Sequence, residues 1–97
     1  MFELTTMTAE DFSALKGTEF TTVSLDTEIK LELMEIKKLG QGERSGGAYS
    51  LLWQGPTSPI LPQATYRIFQ EQIGEHDFFL VPVAEKDAGI QYEAVFT

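Results

Sequence analysis

The segment from Tyr49 to Tyr66, YSLLWQGPTSPILPQATY, constrains the fold of this chain most strongly, because it contains the only tryptophan and three of the four prolines. At its start Tyr49, Leu51 and Trp53 alternate with Ser50, Leu52 and Gln54. A period of two residues places alternate side chains on one face of a β-strand. The segment therefore predicts a strand, a stiff loop and a second strand, with the three alternating residues facing a core.

The loop inside this segment holds two adjacent hydrophobic residues, Ile60 and Leu61, between Pro59 and Pro62. Proline fixes its own φ angle and keeps the preceding residue out of the helical region, so the connection is stiff. Leaving both hydrophobic side chains in water forfeits roughly 1.5 to 3 kcal/mol each. We expect them to fold back onto the end of a barrel or sandwich, and the alternative is an exposed binding ridge.

Composition predicts one acidic domain spanning residues 1–97, with 7 basic and 15 acidic residues and a net charge of −8. Lys37 and Lys38 are the only adjacent basic pair, whereas nucleic-acid binding requires clustered basic side chains. Neither nucleic acid nor an anionic membrane is an expected partner. No basic and apolar leader and no apolar run of ~18 to 20 residues is seen, which predicts a soluble cytoplasmic protein.

Hydrophobic periodicity and turn residues predict one short helix and six strands. Thr8 is a good N-cap with Asp11 in the capping-box position, and Gly17 is expected to end the helix after two to three turns. The predicted strands are 20–25, 29–39, 49–54, 66–70, 78–83 and 90–96. Residues 1–6 form an extended lead. This pattern predicts a small antiparallel β-barrel or two-sheet roll, and an incomplete barrel would leave a strand edge for a partner or a second copy.

Two of the strands have irregular patterns. Between Ile29 and Leu39 the alternation slips at Met34, which indicates a β-bulge near Leu33 and Met34, although helical spacing also fits part of the segment. The segment FFLVPV is apolar on both faces, so we expect it to lie centrally in the sheet, with a bulge or strand end at Pro82.

Few residues suggest catalysis or metal binding. His76 is the only histidine and lies between Glu75 and Asp77, but a strand places those carboxylates on the face opposite the imidazole. The glycine-rich segment from Gly40 to Gly47 is followed by a strand, whereas a phosphate loop needs a helix N-terminus. We therefore expect no enzyme activity, no metal and no cofactor.

The aromatic residues Trp53, Tyr49 and Tyr66 allow a different function. They could line a small ligand pocket inside a barrel, although aromatic residues at strand spacing more often form the core. A small-ligand-binding barrel is thus the alternative to a protein-interaction module. A shift of Trp53 fluorescence on adding a metabolite library would distinguish the two.

Several short motifs resemble those of an uncharacterised bacterial family of small domains of unknown function. They are Leu4 and Thr5 with Asp11 and Phe12, Gly17 with Phe20, YSLLWQGP from Tyr49, LPQATY from Leu61, FLVPV from Phe79 and YEAVF from Tyr92. The resemblance covers nearly the whole chain and implies no catalytic residues. It implies an assembly role only by association, because some members of that family are linked to phage-tail-like proteins.

The function expected from the sequence is thus a non-enzymatic protein-interaction or assembly module. It would hold an unidentified protein partner through a sheet edge or through the proline-rich segment, with Ile60 and Leu61 as the contact residues.

Overall fold

The computed structural model describes residues 7–24, 26–40, 48–86 and 88–96. One helix, α1 (Ala9–Ser13), precedes the strands. The strands are β1 (Glu19–Ser24), β2 (Thr27–Gly40), β3 (Ala48–Gln54), β4 (Ala64–Gln70), β5 (Gly74–Lys86) and β6 (Gly89–Phe96). The prediction of a mainly β fold with one short N-terminal helix is confirmed. The extended lead at residues 1–6 and the glycine-rich residues 41–47 lie outside the described residues.

The helix begins where the capping box predicts. The Thr8 backbone N–H donates to Asp11 Oδ2 at 2.9 Å, and the Asp11 N–H donates to Thr8 Oγ1 at 3.4 Å. The helix is five residues long, so the expectation of two to three turns ending at Gly17 is wrong. The backbone leaves the helix early because the Gly17 N–H donates to the Leu33 carbonyl at 2.7 Å, which joins this segment to β2.

The strands pair antiparallel in the order β1-β2-β3-β6-β5-β4 and close into a barrel. The closing contact between β1 and β4 is short, with Thr21 opposite Phe69 and Thr22 opposite Ile68. The Thr22 hydroxyl also donates to the Arg67 carbonyl at 2.8 Å. Each described strand therefore has a neighbour on both sides, and the edge expected of an incomplete barrel is not found among them.

Both irregular strands contain the expected bulges. In β2 the pairing with β3 shifts between Leu33 and Glu35, so the slipped alternation is a bulged strand and not a helix. In β5 the pairing with β6 shifts between Pro82 and Ala84. FFLVPV lies in β5 between β4 and β6, so its expected central place in the sheet is confirmed, although Phe79 on its outer face is 51% exposed. A closed barrel has one interior, so only alternate residues of each strand enter the core.

The barrel interior is packed with large hydrophobic side chains. The largest that are fully buried are Trp53, Tyr49, Tyr92, Phe12, Phe20 and Phe78. At one end of β3, Phe12 of α1 contacts the Tyr49 ring at 5.9 Å between centroids and closes that end of the barrel. The loop that follows β3 lies at the opposite end.

Candidate functional site

The loop between β3 and β4, residues 55–63, is the candidate site and is called the proline loop here. Its first residues continue the pairing of β3 with β6. The Gly55 N–H donates to the Ile90 carbonyl at 2.8 Å, and the Ile90 N–H donates to the Pro56 carbonyl at 3.2 Å. The start of the proline loop is therefore fixed to the barrel by two backbone hydrogen bonds.

Glycine is required where the proline loop meets the hairpin between β5 and β6. Gly89 has a φ angle of +136°, and a Cβ atom added there would lie 2.1 Å from the Gly55 carbonyl oxygen. A Cβ atom on Gly55 would lie 2.9 Å from the Tyr92 ring. Two glycines therefore allow the two backbones to approach each other closely.

The second half of the proline loop is anchored by the Leu61 side chain and by two tyrosines. Leu61 is 1% exposed, and its N–H donates to the buried Tyr92 Oη at 2.9 Å. The Tyr66 hydroxyl donates to the Pro62 carbonyl at 2.5 Å. Because a buried backbone N–H without a partner costs roughly 1 to 3 kcal/mol, Tyr92 stabilises this conformation of the loop.

The anchored loop presents Ile60 to solvent. Ile60 is 57% exposed and is preceded by three exposed residues, from Thr57 to Pro59. The Ser58–Pro59 peptide bond in this segment is cis. The two hydrophobic residues thus separate: Leu61 folds back onto the barrel end as expected, whereas Ile60 takes the position of the exposed ridge.

Two of the three aromatic candidates lie deep in the core. Trp53 is fully buried, and its ring meets Phe20 and Phe78 edge to face at centroid distances of 5.5 and 5.4 Å. Tyr49 stacks on Phe96 at 4.9 Å and donates its hydroxyl to the Met7 carbonyl at 3.0 Å. Both side chains therefore hold the fold together, Tyr49 at the helix end of the barrel.

Tyr66 lies apart from these two, beside the proline loop. Burial raises the pKa of its hydroxyl above the usual value of 10.0, and the nearby Tyr92 adds a smaller effect in the same direction. Tyr66 lines a surface cleft of about 350 Å³ together with residues of β1, β4 and β5. Two other surface clefts, of about 360 and 490 Å³, lie elsewhere on the barrel. None of these three clefts is lined by Trp53 or Tyr49.

One polar atom of this core has no partner in the described part of the chain. The Trp53 Nε1 atom is buried and makes no hydrogen bond there. An indole N–H in this position loses its hydration without compensation, at a cost of roughly 1 to 3 kcal/mol. Within the described residues, this buried N–H is the feature of the interior that favours a polar guest.

The histidine region forms no cluster of catalytic or metal-binding groups in the described residues. His76 Nε2 lies 2.7 Å from the Ile73 carbonyl oxygen. Its flanking carboxylates turn to Arg67 instead, with Asp77 Oδ1 3.3 Å from Nε and Glu75 Oε1 3.9 Å from Nη1. Across residues 7–24, 26–40, 48–86 and 88–96, no group of three or more histidine or acidic side chains could hold a metal ion.

The contact of Tyr92 with the proline loop was not predicted from the sequence. A tyrosine buried in the alternating strand Ile90, Tyr92, Ala94 must find a hydrogen-bond partner for its hydroxyl, and this requirement was the available signal. Which backbone group would meet the hydroxyl depends on the pairing of β3 with β6, two strands far apart in sequence.

The fold and this loop define a class: a small, closed, six-stranded antiparallel barrel with one helix at one end and an anchored proline loop at the other. The chain belongs to the family described as Domain of unknown function (DUF6916), whose model matches residues 7–96. No curated protein and no solved structure matches the chain. No helix in the described residues is long and apolar enough to cross a membrane.

Proposed function

We propose that this chain is a non-enzymatic protein-interaction or assembly module that contacts its partner through the proline loop. The observation that carries the proposal is the contrast between two neighbours in one loop. Leu61 is 1% exposed and hydrogen-bonded, whereas Ile60 is 57% exposed. A hydrophobic side chain displayed from an anchored loop is typical of a contact residue at a protein interface.

The anchoring of the loop favours binding for an entropic reason. Ordering a flexible loop on binding costs free energy, and a loop already held in one conformation avoids most of that cost. Here Leu61, Tyr92 and Tyr66 hold the loop before any partner arrives. Covering Ile60 can then contribute to affinity without a large ordering penalty.

The net charge of −8 supports a protein partner over nucleic acid or an anionic membrane. Phosphate backbones and anionic lipids attract clustered basic residues, and the positive charges of this chain are scattered. The proposal includes a cytoplasmic location. The link to phage-tail-like assemblies rests on the resemblance alone.

Affinity capture tests the proposal. The tagged protein is incubated with a lysate of its own host, and retained proteins are identified by mass spectrometry against a tag-only control. A single partner at near-stoichiometric amounts is the expected result. Recovery of the protein alone under gentle washing would refute the proposal and move the assignment to the ligand-binding alternative.

That alternative, a small-ligand-binding barrel, is favoured by one observation, the buried Trp53 N–H without a hydrogen-bond partner in the described residues. A polar small molecule that accepted this hydrogen bond would change the environment of the only tryptophan. The test is Trp53 fluorescence during addition of a metabolite library. A reproducible, saturable shift with one compound supports this alternative, and a flat response across the library counts against it.

A further inference from the structure

The outer surface of β3, β6 and β5 carries a set of apolar side chains around one carboxylate. The strand register places Glu93 of β6 opposite Leu52 of β3 on one side and opposite Val81 of β5 on the other. Tyr92 and Ala94 are buried, so Glu93 and Val95 point to the outer face. We call this surface, formed by Leu52, Phe79, Val81, Glu93 and Val95, the outer patch.

The outer patch extends from β6 onto β5. Phe79 lies two residues before Val81 on β5, and Val95 lies two residues after Glu93 on β6, so each shares the outer face of its strand with a residue of the Val81–Glu93 pair. Phe79 and Val95 are 51% and 53% exposed, which leaves two large apolar side chains in water.

Glu93 has no cation partner in the described part of the chain. The ion pairs of these residues involve Lys30, Lys38 and Arg67, and none reaches the outer patch. Glu93 is half-buried between two apolar side chains, whereas most other carboxylates of the barrel are exposed. A half-buried carboxylate between apolar side chains is stabilised most by a cation that itself has apolar neighbours. The carboxylate, the cation and the apolar side chains are then shielded from water together.

We propose that the outer patch binds a protein segment in which an arginine or lysine lies between apolar side chains, with the cation pairing to Glu93. This inference rests on the proposed function in assuming a protein partner. A second copy of the chain is disfavoured as occupant, because it would bring two Glu93 carboxylates together and add a second net charge of −8. The patch is separate from Ile60, so one partner could contact both or two partners could contact one each.

The probe is the capped peptide acetyl-Val-Arg-Val-Arg-Val-amide, added to the ¹⁵N-labelled full chain and followed by amide chemical shifts. The expected shifts map to the five residues of the outer patch. E93Q should weaken binding about tenfold, as the loss of one charge-assisted hydrogen bond implies. Glu28, an exposed carboxylate opposite Val23 on β1, supplies the control, and E28Q should change the affinity less than twofold.

Three results of the peptide titration itself would overturn the inference. These are no shift at millimolar peptide, shifts spread over all carboxylates, or equal weakening by E93Q and E28Q. A dimer in sedimentation that F79S dissociates would assign the patch to self-association and would also overturn it. The variant I60S separates the two proposals: unchanged peptide binding is expected, whereas peptide binding lost in I60S and kept in E93Q would place the contact on the proline loop.

Discussion

Truncating Leu61 to alanine should destabilise the protein far more than truncating Ile60, although the two residues are isomers and neighbours. Removing a buried leucine side chain costs about 2 to 5 kcal/mol, and Leu61 is 1% exposed. Complete burial of isoleucine is worth about 1.5 to 3 kcal/mol, and Ile60 is 57% exposed, so I60A should cost about 1 kcal/mol or less. The predicted order follows from the loop geometry alone.

Urea unfolding monitored by Trp53 fluorescence measures both variants. Trp53 is fully buried, so unfolding transfers it to water and changes its emission. L61A should shift the midpoint clearly downward with an unchanged slope, and I60A should remain close to the parent protein. Equal losses in the two variants would refute the separation of anchor and displayed residue.

A second pair of variants tests the same anchor through its hydrogen bonds. Y92F removes the hydroxyl that accepts the buried Leu61 N–H, which should cost about 1 to 3 kcal/mol. Y66F removes a hydroxyl that donates to an exposed carbonyl, that of Pro62, where water can replace it, so about 1 kcal/mol or less is expected. A loss in Y66F as large as that in Y92F would contradict the assignment of Tyr92 as the main anchor.

Two further predictions concern the hairpin and the helix. G89A should prevent the close approach to the proline loop and destabilise the protein severely. At Gly74 an added Cβ meets open space but φ is +79°, so G74A should lower the free energy of unfolding by about 1 to 2 kcal/mol. Equal urea midpoints for the two variants would contradict this. The Lys38 ammonium bonds to the Glu10 carboxylate and lowers its pKa below 4.5. The stability from this pair is therefore present above the unfolded-state pKa and lost as pH falls through the folded one. K38M should raise the pKa of Glu10 towards its ordinary value in a carboxyl NMR titration, whereas K37M should leave it unchanged; equal effects would contradict the pairing.

The elements of the fold were readable from local patterns because each depends on neighbours in sequence. The capping box at Thr8 and Asp11 needs only one helical turn, and the slipped alternation at Met34 needs only one strand. Both were predicted at the correct positions. The central place of FFLVPV in the sheet was also predicted, but its apolar run did not indicate that Phe79 would lie on the solvent face of a closed barrel.

The site was less predictable because it depends on contacts between residues far apart in sequence. Ile60 and Leu61 are isomers that lie side by side between Pro59 and Pro62, so the sequence does not indicate which one enters the core. Leu61 is the buried one because its N–H donates to the Tyr92 hydroxyl. Tyr92 lies 31 positions beyond Leu61 and reaches it only because β3 pairs with β6. For the same reason, the sequence does not show that the Glu93 carboxylate lacks a cation partner among the described residues. This is seen only once the strand pairing is known.

Quantitative affinity capture with two variants tests most directly whether the proline loop binds a partner through Ile60. I60S changes the exposed residue of the loop, and L39S changes a leucine that is 45% exposed near the helix end of the barrel. L39S removes a comparable apolar surface elsewhere on the barrel, so it controls for nonspecific hydrophobic binding. I60S should retain at least tenfold less partner than the parent protein, and L39S should retain the same amount. Equal retention by both variants would show that the proline loop is not the contact.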